Sequence, residues 1–394
     1  EERLKERSMS AEKLELSKEA ALKSMVLLKN EQQTLPLKAS QKIAFIGPLV
    51  KNKRTLSGSS CAASEWDQVA TLWDALENKF GNGKFLYATG CNLVENESVR
   101  RMTDPQGNVI DERPSQQLLD EAVRTAKQAD VVVAVLGEAY DMSGEAASRS
   151  NIDLLDNQQA LLKALKATGK PVVLVLMNGR PLTLQWEHDN LDAILEAWMP
   201  GTRGGDAITD ILFGDANPSG KITMTFPRSV GQIPIYYNYK NSGRPFTDNS
   251  KFSVKYIDLK YNTPLYPFGY GLSYTKFEYS GIQLSDSTLA ENGSITASVT
   301  LTNTGDRTGE EVVQLYIRDL VGSITRPVKE LKGFQRVALK PGESKQVSFS
   351  ITPELLKFYN ADLKWVAEPG DFFVFIGGNS DTDNKAPFSL KDGK

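Results

Sequence analysis

The spacing of apolar residues changes character along the chain, and each change predicts a different kind of element. After Ser10, an N-cap residue type, Leu14, Ala21, Met25 and Leu28 recur at separations of seven, four and three, which is the spacing of one helix face. An amphipathic lead-in helix is expected there. Past Leu35-Pro36-Leu37, the run Lys42 to Pro48 reads as a short apolar strand stopped by Gly47 and Pro48, and the first compact domain is expected to begin with it. Helix-like and strand-like segments then alternate: a helix over 118–128, a strand over 131–136, a helix over 157–167, strands over 172–177 and 193–198, and a helix over 205–213. Such alternation implies βαβ units and a largely parallel sheet. Val131-Val132-Val133-Ala134-Val135 is apolar throughout, as expected of a strand covered by helices on both faces.

Between residues 227 and 265 the pattern dissolves into Pro, Gly, Asn and Tyr, the composition of a domain linker or long loop. Beyond it the period becomes two. Ile295, Ala297, Val299 and Leu301 alternate with Ser and Thr; Val313, Leu315 and Ile317 repeat this, as do Val347, Phe349 and Ile351. The separators, 303–306, 340–343 and 368–371, carry turn chemistry suited to a β-sandwich. The expected fold is therefore an α/β layered sandwich, a largely parallel sheet flanked by helices, followed by an all-β immunoglobulin-like or fibronectin type III-like sandwich. The expected boundaries are 1–36 for the lead-in helix and linker, 37–230 for the α/β domain, 231–271 for the linker or long loop, and 272–394 for the sandwich. Tyr359 and Trp365 have spacings compatible with the sandwich core.

Composition narrows the chemistry. At roughly 150 residues per domain, 394 residues allow two or three domains. A formal net charge of -3 gives no field to gather nucleic acid or anionic membrane, and the apolar runs fall far short of the roughly 20 residues that span a bilayer. Neither partner is expected. Glu1 to Arg7 show no apolar leader segment. Cys61 and Cys91 cannot build a disulfide framework, and spacing leaves open whether they pair. With His188 the one histidine, neither a zinc site nor a Ser-His-Asp triad is expected; His188 lies in a polar stretch and reads as a solvated loop residue. The strand at Ile43 is not followed by G-x-G-x-x-G, and no G-x-x-x-x-G-K-[ST] occurs, so no dinucleotide or nucleotide cofactor is expected.

In an open parallel sheet ligands bind beyond the carboxyl ends of the strands, which directs attention to three loops. The first holds 57–61 with Trp66 and Asp67, the second is 137–149, and the third is 200–205. Gly201 to Gly205 and Asn178-Gly179 read as tight turns. Only the second loop concentrates carboxylates: Glu138, Asp141 and Glu145, with Arg149 close by. Burial and mutual repulsion fit such a cluster for general acid work, whereas solvation makes it an ordinary acidic loop; the pattern alone leaves both open.

Longer strings carry a resemblance. EAALKSMVLLKNEQQTLPL at 19–37, KIAFIGPL at 42–49, ADVVVAVLGE at 129–138, SGEAASRSNIDLLDNQQALLKAL at 143–165, WMPGTRGGDAITDILFGDANPSGKITMTFPRS at 198–229 and YPFGYGLSYTKFEYS at 266–280 resemble, in order, the region that follows the barrel in family 3 glycoside hydrolases. GDRTGEEVVQLYIRD at 305–319 and RPVKELKGFQRVALKPGES at 326–344 resemble their fibronectin type III-like domain.

The resemblance implies the C-terminal portion of a retaining, exo-acting β-glucosidase-type enzyme. An N-terminal barrel, absent from this chain, would supply the aspartate nucleophile, and the α/β domain would supply the general acid/base loop. By that match Glu145 is the acid/base candidate, with Glu138 as its rival. Ser143, Arg149, Trp66 and Asp67 are candidate substrate-loop residues, Arg149 to orient the loop. The implied partners are a β-linked glycoside or oligosaccharide and the barrel of the same protein; oligomerisation is one way to cover the surface meant for the barrel. The location implied is periplasmic or secreted. The competing class is a non-catalytic carbohydrate-binding or scaffold protein of the same descent, and the sugar stays open. The chain alone is expected to be inactive, because retention needs two carboxyl groups about 5–5.5 Å apart and only one set is here.

Overall fold

The computed structural model describes residues 9–61, 66–103, 110–244 and 253–391, with the side chain of Asp67 outside that description. Backbone contacts divide the chain into two units, Glu1–Gly220 with Gly271–Tyr274, and Lys221–Tyr270 with Thr275–Lys394.

The first unit opens with α1 (Ala11–Ser24), whose N-cap Ser10 accepts a hydrogen bond from the Lys13 amide. Then come β1 (Val26–Asn30), β2 (Ile43–Ile46), α2 (Lys53–Ser57), α3 (Leu72–Phe80), β3 (Leu86–Ala88), α4 (Glu97–Arg100), α5 (Ser115–Lys127), β4 (Val131–Gly137), α6 (Asp156–Lys166), β5 (Val172–Met177), α7 (Gln185–Asn190), β6 (Ala193–Glu196) and α8 (Gly204–Phe213). The strands form one sheet in the order β1-β6-β5-β4-β2-β3. Its pairs are parallel except β1 with β6, which run antiparallel. All residues of β4 and β5 are buried, as a sheet covered on both faces requires. Helix α5 turns Leu118, Ala122 and Ala126 inward at every fourth position. Thr71 and Asp74 form a reciprocal capping box that starts α3.

In this unit residues 26–30 and His188 differ from the sequence reading. Residues 26–30, read as part of a lead-in helix and linker, are an edge strand of the sheet. His188 is a half-buried residue of α7 and no loop residue; its amide donates to the Leu184 carbonyl and its own carbonyl accepts from the Lys29 ammonium, which ties α7 to β1. Cys61 and Cys91 are not joined in a disulfide, and burial pushes the Cys91 thiol up.

In the second unit β7 (Phe277–Tyr279), β8 (Gln283–Leu284), β9 (Thr288–Leu289), β10 (Ile295–Asn303), β11 (Gly309–Asp319), β12 (Glu330–Leu339), β13 (Ser344–Ile351), α9 (Pro353–Leu356), β14 (Phe358–Tyr359), β15 (Trp365–Val366), β16 (Gly370–Gly377) and β17 (Lys385–Leu390) build a sandwich. One sheet runs β13-β10-β7 with β8 also on β10, and the other β12-β11-β16-β17-β9. Ile295, Ala297 and Val299 face Ile351, Phe349 and Val347 across β10 and β13, so the period-two pattern becomes a row of buried cross-strand pairs.

The segment 221–270, most of which reads as linker, packs on this unit: Lys221 and Glu311 form a nearly buried ion pair at 2.9 Å, and the Gln314 amide donates to the Gly269 carbonyl at 3.0 Å. Tyr359 and Trp365 are not in the sandwich core. They belong to the two-stranded hairpin β14–β15, outside both sandwich sheets, and their rings meet at a tilt of 51° with centroids 4.9 Å apart, both exposed.

Gly137 ends β4 at φ +148°, where an added Cβ would lie 1.9 Å from the Met177 carbonyl oxygen. Gly169 has φ +75° but no heavy atom within 4 Å of that point. Gly137→Ala should therefore cost more than about 3 kcal/mol, whereas Gly169→Ala should cost only about 1 kcal/mol from its backbone conformation. Urea unfolding of the two variants checks the difference.

Candidate functional site

The close approach of Gly137 to β5 lets the Glu138 amide donate to the Met177 carbonyl at 2.9 Å, one residue past the strand. Gln158, fully buried on α6, accepts from the Gly137 amide at 2.8 Å and donates to the Gly137 carbonyl at 2.8 Å. The backbone that carries Glu138 is thereby held on both sides.

The Glu138 carboxylate is 1% exposed and lies between two guanidinium groups, Arg149 Nη1 at 2.7 Å and Arg180 Nε at 3.0 Å. The Gly179 amide adds a longer contact of 3.4 Å to its other oxygen. A buried carboxylate needs such partners, because its desolvation costs several kcal/mol that only close charge and hydrogen bonding offset. Arg180 does more than neutralise. Its Nη2 donates to the Met142 carbonyl and, at 2.8 Å, to the Ala147 carbonyl, bridging the two ends of the turn that carries Glu145. Arg149 Nη2 donates to the Asp153 carbonyl at 2.9 Å and fixes the returning chain.

Between those anchors the loop is tight. Ser143 is buried against Gly179, where an added Cβ would fall 1.9 Å from the Ser143 hydroxyl. Ala146 adopts φ +59°, and the Ala147 amide donates to the Gly144 carbonyl at 3.3 Å. Glu145 stands at the exposed tip of this turn. On one flank lies a cleft of about 850 Å³, whose lining includes Val99, Met102, Asp141, Ala147 and Asn151. The loop thus separates a buried ion cluster from open space.

Trp66 joins the same region through a residue that the sequence reading did not single out. The Arg54 guanidinium lies 3.8 Å from the Trp66 ring centroid and 4.5 Å from that of Tyr140, and it donates to the Tyr140 hydroxyl at 3.1 Å. The structure so brings together the loops bearing Trp66, Glu138, Ser143, Glu145 and Arg149; the Asp67 side chain lies outside the described residues. Arg180 was missed as well. Its signal was its place directly after Asn178-Gly179, beyond the carboxyl end of a central parallel strand, where ligand-side residues concentrate. At the end of β6, Glu196 is fully buried, and burial holds its carboxyl well above the usual carboxylate range.

The chain thus joins an α/β unit, with an arginine-clamped acidic loop beyond its strand ends, to a β-sandwich unit. Residues 25–274 match the model of the glycosyl hydrolase family 3 C-terminal domain and residues 311–380 that of the fibronectin type III-like domain, and the chain belongs to glycosyl hydrolase family 3. It is 51% identical over 379 residues to a periplasmic beta-glucosidase of Salmonella typhimurium, covering 95% of this chain and 49% of the relative. It is 40% identical to a beta-xylosidase of Formosa agariphila, over 95% of this chain and 50% of that one. A crystal structure of a beta-glucosidase from Listeria innocua in complex with glucose superposes with a TM-score of 0.85 at 36% identity, covering 98% of this chain and 51% of the other. The chain spans about half the length of the relatives it matches.

Removing the Glu138 carboxylate leaves two largely buried guanidinium groups without their shared anion. Glu138→Ala should lower stability by about 3–5 kcal/mol, whereas Glu145→Ala, at an exposed tip, should stay within about 0.5 kcal/mol of the parent. Chemical denaturation of the two variants measures both.

Proposed function

We propose that this chain is the catalytic-loop half of a retaining, exo-acting β-glucosidase-type hydrolase, in which Glu145 is the general acid/base and a preceding barrel domain provides the nucleophile. The observation that carries this reading is the division of labour between the two candidate glutamates. Glu138 has its oxygens committed to Arg149 and Arg180 and is closed to water, while Glu145 is exposed at the tip of the turn whose ends Arg180 bridges. A group that protonates a leaving oxygen must reach it within hydrogen-bonding distance, and only the tip residue is free to do so. Glu138 is then the anchor of the loop. Arg149, through Glu138, orients the loop, and Trp66 and Ser143 support it. The substrate class is a β-linked glucoside or related glycoside, in keeping with the beta-glucosidases and beta-xylosidase among the relatives. A periplasmic or secreted location accords with the name of the Salmonella typhimurium relative.

In the complete enzyme, Glu145→Ala should slow substrates with poor leaving groups by about 10² to 10⁴-fold and activated aryl glycosides far less, with azide restoring part of the activity. Glu138→Ala should lose both substrate types together with stability, without azide rescue. The reverse assignment of these phenotypes would transfer the acid/base role to Glu138. This chain alone should not turn over aryl β-glucosides. Hydrolysis by the purified chain that disappears in Glu145→Gln would overturn the division of the two carboxyl groups between domains.

A further inference from the structure

Beyond the two candidate glutamates, a third buried carboxyl group lies beneath the same loop. Glu196 ends β6 and is fully buried, as is Asn178 beyond β5. Glu196 Oε1 accepts from the Trp198 amide at 3.0 Å. The Asn178 side chain lies within hydrogen-bonding reach of the carboxyl group, but its Nδ2 donates to the Arg180 carbonyl at 2.5 Å. Two buried oxygens remain, Asn178 Oδ1 and Glu196 Oε2, and among the described residues neither has a donor. Buried acceptors left without a donor are costly. A single proton on the carboxyl group satisfies both, with the acid O–H donating to the amide oxygen.

We propose that Glu196 is a positioning residue kept as a neutral carboxylic acid, whose proton bridges to Asn178 and so fixes the Asn178–Arg180 turn that clamps the acidic loop.

The charges around it agree. Burial acts first to hold the proton on, and the nearby Glu138 carboxylate acts in the same direction, against the Trp198 amide and the Asn178 side chain. Among the described residues no Lys or Arg pairs with Glu196, while Arg149 and Arg180 are both spent on Glu138. The two glutamates thus divide one environment: the one with two guanidinium groups carries the charge, and the one with none carries the proton. From Glu196 the chain of contacts runs through Asn178 to the Arg180 carbonyl, and from the Arg180 side chain to Glu138 and the carbonyls of Met142 and Ala147. Only the consequence for catalysis rests on Glu145 being the acid/base; the protonation state does not.

The test uses this chain with no substrate. Carbon-13 NMR of glutamate carboxyl groups should show one signal at the protonated position from pH 5 to pH 8, absent from Glu196→Gln. Glu187, pushed up to about 7 by burial, should titrate inside that range and supply the contrast. A neutral acid in the fold makes folding less favourable as the unfolded carboxyl ionises. The melting temperature of Glu196→Gln relative to the parent should therefore rise with pH, by about 2–4 °C per unit above the ordinary glutamate range. The amide of Ala147 should exchange at the parental rate in Glu196→Gln and about tenfold faster or more in Glu196→Leu. A Glu196 carboxyl ionised at pH 7, or a glutamine that loosens the loop as much as leucine does, would overturn the proposal. Should the leucine variant not fold, the carboxyl signal and the pH dependence decide.

Discussion

A carboxylate that is 1% exposed imposes a constraint on everything around it, and in the first unit that carboxylate is Glu138. Its position follows from backbone geometry. Gly137 brings the end of β4 against β5, and the next residue has nowhere to go except under the loops beyond the sheet. Charge must then be supplied locally, and two different segments supply it: Arg149 from the far side of the acidic loop and Arg180 from the loop after β5. Ordering those loops is the structural consequence of neutralising one buried oxygen pair. Lysine could not substitute at position 180, since a point charge lacks the planar fork that serves a carboxylate and two carbonyls at once.

The support continues outward by packing that tolerates little change. Ser143 fills the space over Gly179, and Arg54 inserts between the rings of Trp66 and Tyr140. Glu145 is exposed, but the backbone beneath it is anchored by bonds to Arg180 at both ends of its turn. Its side chain therefore faces solvent from a backbone held at both ends of the turn.

Much of this was legible in the chain. The continuous apolar runs of β4 and β5, the alternating runs of β10 and β13 and the acid-rich loop after Gly137 all have local signatures, since burial on two faces, on one face or on none writes a different period. What escaped was non-local. Met25 and Leu28 continue the helix-like spacing begun at Leu14, so β1 was hidden behind a periodicity that the helix abandons at Ser24. Tyr359 and Trp365 look like core residues because aromatic side chains are commonly buried, but a hairpin outside the two sandwich sheets puts them in water. Arg180 stood behind a dipeptide that reads as a turn, and nothing in spacing reveals that it reaches across to residues 138, 142 and 147. Glu196 lay unremarked inside the strand expected over 193–198, and only its complete burial marks it out.

The antiparallel strand β1 has a bearing on how the molecule can be divided. Val26 to Asn30 cover the outer row of amide and carbonyl groups on β6, with Val26 paired to Glu196 itself. A boundary drawn at residue 37, where composition would place the start of the domain, strips that cover and turns β6 into an open sheet edge, the kind of surface that recruits a strand from another molecule. The short segment is therefore the selvedge of the sheet: five residues keep the weave from running into its neighbour, and any shortened version of this unit has to begin upstream of them.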